Sequence, residues 1–247
     1  MGTVGHPELP RGRAATAASP RETERGGMPS LLQRAAIGKV VLSKRFTRQG
    51  IDAFLRRELR GVGGTVLDLG AGLRPFAGLL PGRSIALDYR PRPDVDLVGD
   101  AHHLPFRDGS IDAIVCTEVF EHLVDPPGAA REIERVLKPG GKLVLTTRFC
   151  FPLHDRPGDH WRFTPYTLAR LFAPLDPVVL PQHSAYHTLL VLVVRLVMEP
   201  TRLNRIVSPP VLALCALLWA IEPVAGKLLP SDALTSGYLV AGQKRRA

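Results

Sequence analysis

The sequence of 247 residues predicts one α/β domain with a doubly wound sheet. From residue 64 onwards, short apolar runs alternate with helical stretches, and the first run leads directly into a glycine-containing turn. Strands that are apolar throughout indicate a parallel sheet covered by helices on both faces. Hydrophobic residues make up 45% of the chain and charged residues 22%, which is typical of a globular protein. Three cysteines without a C-x-x-C pair argue against a disulfide scaffold or a zinc ribbon.

The chain before the sheet divides into two segments. Residues 1–28 are rich in Gly, Pro, Ala, Thr and Arg without apolar periodicity, which predicts a disordered basic tail. Residues 29–60 carry apolar residues at roughly helical spacing, with Gly38 and Gly50 expected to interrupt the helix. Residues 61–247 then form the α/β domain.

Seven strands and two helices follow from the apolar runs and turn signals. The strands are predicted at 65–69, 84–87, 95–98, 111–116, 142–147, 176–180 and 237–241. A helix is predicted at 76–80, after the glycine turn, and another at 127–137.

A hydrophobic helical insertion at 185–230 precedes the last strand. Its apolar runs at 189–194 and 211–221 are separated by Pro209 and Pro210, and neither reaches the ~18–20 residues that cross a bilayer. Three interpretations stay open: a lid or dimer surface, an interfacial membrane contact, or additional core.

The net charge of +9 lies at the two ends of the chain. Residues 1–60 hold 12 basic and 5 acidic residues, residues 61–243 hold 17 and 18, and residues 244–247 hold three basic residues. Because residues 61–243 are close to neutral, the domain is not expected to bind nucleic acid through its surface charge. No DNA partner is therefore expected, and an RNA partner is disfavoured. Basic ends suit a solvated tail or an anionic membrane surface.

Polar residues follow successive predicted strands. The first strand ends in Asp68, Leu69, Gly70, Ala71 and Gly72, where a ligand needs bare backbone. The second strand ends in Asp88, whose carboxylate can accept both hydroxyls of a ribose. The third ends in Asp100 and Ala101, which suit the amine and the ring of an adenine. The fourth ends in Thr117 and Glu118. The carboxyl edge of a parallel sheet is its ligand-binding edge, which predicts a nucleoside site.

Residues 60–175 resemble the class I S-adenosylmethionine-dependent methyltransferases of the type 11 group. The resemblance rests on VLDLGAGLRP, ALDYRP, GDAHHLPFRDGSIDAIVCTEVFEHL and EIERVLKPGGKLVLTT. It implies a Rossmann-like methyltransferase sheet and S-adenosylmethionine as cofactor. It places the methionine moiety at Asp68, Gly70, Ala71 and Gly72, the ribose at Asp88, and Tyr89 against the adenine. Asp100 with Ala101 would hold the amine, and Thr117 or Glu118 would face the methionine end.

The loop at 154–165 follows the fifth strand and resembles the W-R-F-T-P signature of bacterial members associated with glycans, lipids and secondary metabolites. Its position at the ligand edge makes His154, Asp159 and His160 candidates for a general base on an acceptor hydroxyl. The alternative is that His160 and Trp161 only pack the loop.

Glu118, Glu121 and His122 form a second polar pattern. On a helix, Glu118 and Glu121 would share one face beside His122, so that three ligands converge on a cation. The same spacing occurs in some relatives that are associated with a divalent metal. We expect no metal here and assign the pattern to shaping of the site.

The predicted function is methyl transfer from S-adenosylmethionine to a small-molecule, glycan or lipid-linked acceptor, most often at oxygen. The alternatives are a noncatalytic binding protein recruited by its apolar insertion, an RNA methyltransferase, and a nicotinamide dehydrogenase. A cytoplasmic protein that contacts the membrane surface and forms a homodimer would fit the composition.

Overall fold

The computed structural model describes residues 47–199, 201–229 and 233–246. Seven strands form one sheet in the order β3-β2-β1-β4-β5-β7-β6. The strands are β1 Thr65–Leu69, β2 Arg83–Asp88, β3 Leu97–Val98, β4 Ile111–Thr117, β5 Leu137–Arg148, β6 Val178–Pro181 and β7 Gly237–Gln243. The helices are α1 Ile51–Glu58, α2 Pro126–Val136, α3 Pro165–Leu171, α4 Ala185–Met198, α5 Arg202–Trp219 and α6 Glu222–Leu228.

The sheet confirms the doubly wound α/β prediction. β3, β2, β1, β4 and β5 are parallel, and β7 is antiparallel to both of its neighbours, β5 and β6. Since β1 lies between β2 and β4, the strand order reverses at β1. A reversal of this kind opens a crevice at the carboxyl ends of the strands, where α/β sheets bind ligands.

The two faces of the sheet carry separate cores because side chains alternate along each strand. Leu67 and Leu69 point to the face covered by α2 and α3, where they join Ile133 and Leu168. Val66 joins the opposite core with the apolar residues of α1. Both faces are thus covered, as the apolar strands predicted.

All seven strands are present at the predicted places, and the third is reduced to two residues. The helix predicted after the glycine turn is wrong, since only a 3-10 turn forms there, at Ala77–Leu79. Pro75, Gly78 and Pro81 fall within seven residues and disfavour a regular helix. The second helix is present as α2, and Asp125 caps it by accepting the Gly128 N–H at 3.1 Å.

Of the predicted helical segment 29–60, the structure describes α1. Gly50 stands at its amino end with φ of +84°, so the interruption predicted there is confirmed. The tail at 1–28, Gly38 and the rest of the segment up to residue 46 lie outside the described residues.

The insertion forms α4, α5 and α6 between β6 and β7. The prediction that Pro209 and Pro210 separate two helices is wrong, because both prolines lie inside α5. Thr201 caps α5 by accepting the Asn204 N–H at 3.1 Å, so the helix starts well before the prolines. No single helix among the described residues is long and apolar enough to cross a membrane. Ile206–Trp219 and Glu222–Leu228, bent by 72°, meet the length and composition criteria together.

Candidate active site

The carboxyl ends of β1, β2 and β4 bring the predicted polar residues to one edge of the sheet. Asp68 pairs in register with Val115 of β4, and Asp88 and Thr117 are the last residues of β2 and β4. The strand ends that the sequence marked therefore meet around the crevice opened by the reversal of strand order.

The glycine turn is tied to β2 by backbone hydrogen bonds. The Gly70 and Ala71 N–H groups both donate to the Leu87 carbonyl, at 2.8 and 3.1 Å. A Cβ on Gly70 would lie 2.3 Å from Val119 Cγ2, so the turn packs directly against that side chain. Gly72 differs, because a Cβ there would meet nothing closer than the Gly70 carbonyl at 3.9 Å. The open space of the turn is therefore at Gly72, whose φ is +55°.

Asp88 is buried and holds two backbone amides. Its Oδ2 accepts the Gly72 N–H at 2.8 Å and its Oδ1 accepts the Arg90 N–H at 2.9 Å. A carboxylate has about four acceptor positions, so each oxygen keeps one for a hydroxyl. The two amides also fix the carboxylate between the glycine turn and β2, which suits the predicted ribose contact.

Asp68 is buried beside Arg74. Burial raises the pKa of Asp68 to about 6 although the Arg74 guanidinium opposes this, with Arg74 Nε 3.6 Å from Asp68 Oδ2. Arg74 also donates to the Ser84 hydroxyl at 3.1 Å. Because the pKa of Asp68 stays raised even with this guanidinium beside it, a second cation such as the ammonium group of a methionine moiety would stabilise its ionised form.

The adenine end predicted at Tyr89, Asp100 and Ala101 is open on one side. Tyr89 is 68% exposed, with Arg90 Cζ 4.8 Å from its ring centroid. Ala101 is buried, while the Asp100 carboxylate is exposed and accepts the His102 N–H at 2.9 Å. That hydrogen bond is the main reason why the pKa of Asp100 is lowered. Asp100 therefore stays ionised as an acceptor for an amine.

Glu118 is already engaged within the protein. It stands just after β4 with φ of +59°, forms an ion pair with Arg148, and accepts the Thr146 hydroxyl at 2.8 Å. The expectation that Glu118 and Glu121 share a helix face is wrong, because the 3-10 turn starts only at Phe120. Of the two residues predicted to face the methionine end of the cofactor, Thr117 is the one that is not held by an ion pair; it is half-buried at the end of β4.

Glu121, His122 and His154 converge instead, with one potential ligand atom of each within 4.8 Å of the others. Glu121 is fully buried; its Oε2 accepts the Thr147 hydroxyl at 2.9 Å and its Oε1 has no hydrogen-bond partner. Burial, with Glu118 nearby, raises the pKa of Glu121 to about 8. Its carboxyl therefore carries a proton at neutral pH and is a poor cation ligand in that form. The absence of a metal stays a prediction.

His154 is the predicted base that the structure places best. It is half-buried, and its Nδ1 lies 3.2 Å from Asp159 Oδ2. Burial is the main reason why the pKa of His154 is lowered, and Asp159 opposes it. This contact lacks hydrogen-bond geometry, so Asp159 acts on the imidazole through its charge, and a proton on Nδ1 would leave Nε2 to accept one.

Asp159 and His160 have other positions. Arg162 donates to both Asp159 oxygens at 2.6 Å, and the His154 N–H donates to Oδ2 at 2.9 Å. Burial alone would raise the pKa of Asp159, but these partners outweigh it and hold that pKa well below its usual range. Asp159 is therefore an orienting anion for His154 and not itself a proton acceptor. His160 is exposed, and its N–H donates to the Glu121 carbonyl at 2.8 Å.

Two residues of the site, Arg148 and Phe151, were not predicted from the sequence. Arg148 ends β5, pairs with Glu118 and lies 4.3 Å from the Phe151 ring centroid. The Phe151 ring is 5.2 Å from His154. The rule that marks polar residues at strand ends would have identified Arg148, whereas Phe151 carries no signal in the sequence.

Comparisons with known proteins agree with this geometry. Residues 67–145 match the family model described as a methyltransferase domain. A demethylmenaquinone methyltransferase of Paenarthrobacter aurescens is 40% identical over 98 residues, covering 34% of this chain and 38% of that protein. A ubiquinone biosynthesis O-methyltransferase of Xanthomonas oryzae is 42% identical over 64 residues, covering 26% of this chain and 24% of that protein.

A solved structure shows the same fold. It is the methyltransferase in complex with the Haloferax volcanii Trm112 methyltransferase activator, with a TM-score of 0.52 and 20% identity over 89% of this chain and 100% of that one. The fold is Rossmann-like, and the family match identifies residues 67–145 as a methyltransferase domain. The match at residues 67–145 confirms the resemblance of this region to the class I S-adenosylmethionine-dependent methyltransferases of the type 11 group. The chain spans about a third of the length of the curated relatives it matches.

The residues of the crevice fit the cofactor of this family, S-adenosylmethionine. The turn is open at Gly72, Asp88 keeps two acceptor positions, and the buried Asp68 has a carboxyl that a cation would stabilise. The resemblance and the cofactor that it implies are supported by the methyltransferase-domain match, and the positions of the individual contacts to that cofactor stay predictions.

Proposed function

We propose that this protein transfers a methyl group from S-adenosylmethionine to an oxygen atom of a small-molecule, glycan or lipid-linked acceptor. The observation that carries the proposal is the buried Asp88 carboxylate, which joins the open glycine turn to the end of β2. The cofactor supplies an electrophilic methyl group bound to a sulfonium. The chain itself has to bind it, align the acceptor and remove the acceptor's proton.

The acceptor is inferred from the site and the relatives. One relative is named for O-methylation in ubiquinone biosynthesis and another for demethylmenaquinone. The His154–Asp159 pair supports oxygen, because a hydroxyl has to lose a proton when it is methylated. Phe151, beside His154, gives the acceptor an apolar surface.

His154 has the role of general base in this proposal, Asp159 and Arg162 are positioning residues, and Thr117 lies at the methyl end. With Nδ1 beside Asp159, the free nitrogen of His154 takes the acceptor proton. The apolar contact with Phe151 and the burial of His154 favour its neutral form, the form needed for a base.

Calorimetric titration with S-adenosylmethionine tests the cofactor site. Replacing Asp88 with Ala removes the acceptors for a ribose and for the Gly72 amide, so we expect affinity to fall by ~1–3 kcal/mol. The exposed Asp94 is the matched control, and Asp94→Ala should bind like the unmodified protein. Equal affinity of the two variants would contradict the ribose assignment.

Incubation with S-adenosylmethionine carrying a labelled methyl group, followed by separation of lipid, glycan and small-molecule fractions of a cell extract, tests the transfer. Label in an oxygen-linked methyl group of one fraction is the expected result. Cofactor binding without any labelled acceptor would favour the noncatalytic binding protein. Label in RNA would favour the RNA methyltransferase.

A further inference from the structure

The helices of the insertion expose apolar residues at regular spacing along their outer side. We call this surface the outer helical face, and its members are Leu189, Val193, Leu196, Leu203, Ile206, Leu214, Leu217, Ile221, Val224 and Leu228. Along α5 and α6, exposed residues recur every three or four positions when the exposed Pro210 is included. Within each helix this spacing places them along one side, and α6 is bent by 72° relative to α5.

The opposite side of the same helices is also apolar. Leu190, Val191, Val194, Val197, Leu212 and Cys215 form a small core between α4 and α5. From Ile206 to Trp219 the sequence contains no charged residue. A helix that is apolar on all sides is normally covered on all sides. The described residues cover only one side of α5.

Basic residues outnumber acidic ones in the sequence of the insertion. Between residues 185 and 229 the chain holds four basic and two acidic residues. Among the side chains that the structure describes here, Glu199 and Lys227 are both exposed, and Glu222 is half-buried and accepts the Ser184 hydroxyl at 3.4 Å. The excess of positive charge is therefore a property of the sequence of the insertion, four basic against two acidic residues.

The amino-terminal segment joins the described fold at the same place. The Trp219 indole N–H, at the end of α5, donates to the Gln49 side-chain oxygen at 2.7 Å. The 46 residues that precede Thr47 hold eight basic and three acidic residues. A basic stretch of chain is thus connected to the fold next to the outer helical face.

We propose that the outer helical face docks this protein onto an anionic lipid surface, with α5 and α6 lying in the interface. Apolar side chains beside basic ones are the combination that binds the headgroup region of such a bilayer. With a bend of 72° between Ile206–Trp219 and Glu222–Leu228, both segments can lie along a surface, and neither is long enough to cross a bilayer alone. A symmetric dimer through this face would bring two basic segments together, which like-charge repulsion disfavours.

Docking would place the active site close to the lipid. Phe151 packs against the core of α4 and α5 and also contacts His154. Phe151 therefore connects the helices of the outer helical face to the side of the crevice where the acceptor would bind. The docking itself does not depend on methyl transfer, so the two proposals can fail separately.

Flotation of the full chain with vesicles tests the docking. One set of vesicles contains equal parts of phosphatidylglycerol and phosphatidylcholine, and the other contains phosphatidylcholine alone. The protein should float with the anionic vesicles, less at high salt, and the variant Leu217→Glu/Val224→Glu should lose about tenfold or more in partitioning. Both residues are exposed, so this variant should keep its fold, its circular dichroism and its affinity for S-adenosylmethionine.

The matched control is Tyr166→Glu/Val178→Glu, which changes two exposed residues outside the outer helical face and should float like the unmodified protein. Flotation of the Leu217→Glu/Val224→Glu variant at the unmodified level would overturn the proposal, as would failure of the unmodified protein to float. Equal binding to pure phosphatidylcholine would contradict an anionic surface. A dimer that this variant dissociates, without vesicle binding by the unmodified chain, would assign the face to a second copy.

Discussion

His154 and Asp159 show how burial and charge divide two roles between neighbouring residues. Asp159 is held ionised by Arg162, and His154 is kept neutral mainly by burial. The carboxylate can therefore orient the imidazole and stabilise it once it has taken up a proton, while the imidazole accepts that proton at neutral pH.

Methyl transfer should depend on pH through His154. Because the pKa of His154 is lowered, activity should persist as pH falls below 6.5, the usual value for histidine, and be lost only when His154 becomes protonated. The variant His154→Ala should lose ~10²–10⁴-fold in kcat with little change in cofactor affinity. Initial rates across pH, with the exposed His103 replaced as control, check this. An unchanged rate in His154→Ala would remove the base from the mechanism.

Glu121 should make the stability of the protein depend on pH. Its pKa in the folded protein is about 8, above the ordinary value of 4.5, so the folded state binds more protons than the unfolded state between these values. The free energy of unfolding should therefore fall as pH rises from about 4.5 to about 8. Glu121→Gln should flatten this dependence, and Glu134→Gln should not. Urea unfolding at several pH values measures the free energy of unfolding. If this free energy depended on pH in the same way in Glu121→Gln and in the unmodified protein, the role of Glu121 would be contradicted.

The turn between β1 and β2 shows why two glycines of one motif have different constraints. The sequence suggests that Gly70 keeps space for the cofactor, but a Cβ there would collide with Val119. The free space lies at Gly72, with its amide on Asp88. The turn is thus tightly packed against Val119 at its first glycine and open at its second.

Replacing Gly72 with Val should abolish cofactor binding, because the side chain would enter the open space and the residue would be strained at φ of +55°. A Cβ on Gly63 would meet nothing within 4 Å, and the φ of Gly63 is not positive, so Gly63→Val is the matched control. Calorimetric titration compares the two, and circular dichroism confirms that both variants fold. Retained affinity in Gly72→Val would move the cofactor away from this turn.

At the scale of the whole molecule, the cofactor should stabilise the fold, because it contacts the ends of several strands at once. S-adenosylmethionine at ~100 times its Kd should add about 2.7 kcal/mol to the free energy of unfolding, while NADH at the same concentration should add nothing. Thermal unfolding followed by circular dichroism measures both. Stabilisation by NADH alone would favour the nicotinamide dehydrogenase.

The sequence by itself determined the sheet and the cofactor edge of this protein. Apolar runs such as 143–145 are most stable at the centre of a covered sheet, and the polar residues that end neighbouring parallel strands meet at one edge. The pattern of polar residues after apolar strands predicted Asp68, Gly72, Asp88 and Asp100 as cofactor-binding residues without any tertiary information.

Only the tertiary structure decided which polar groups pair with each other. Arg148 pairs with Glu118, and His154 joins Glu121 and His122, in both cases from 30 or more residues away along the chain. These contacts depend on how the loop after β5 folds over the 3-10 turn after β4, and no spacing in the sequence encodes that. The outward direction of the apolar residues on α5 was likewise decided by packing, since a helix that is apolar all round has no sequence pattern to show which side is covered.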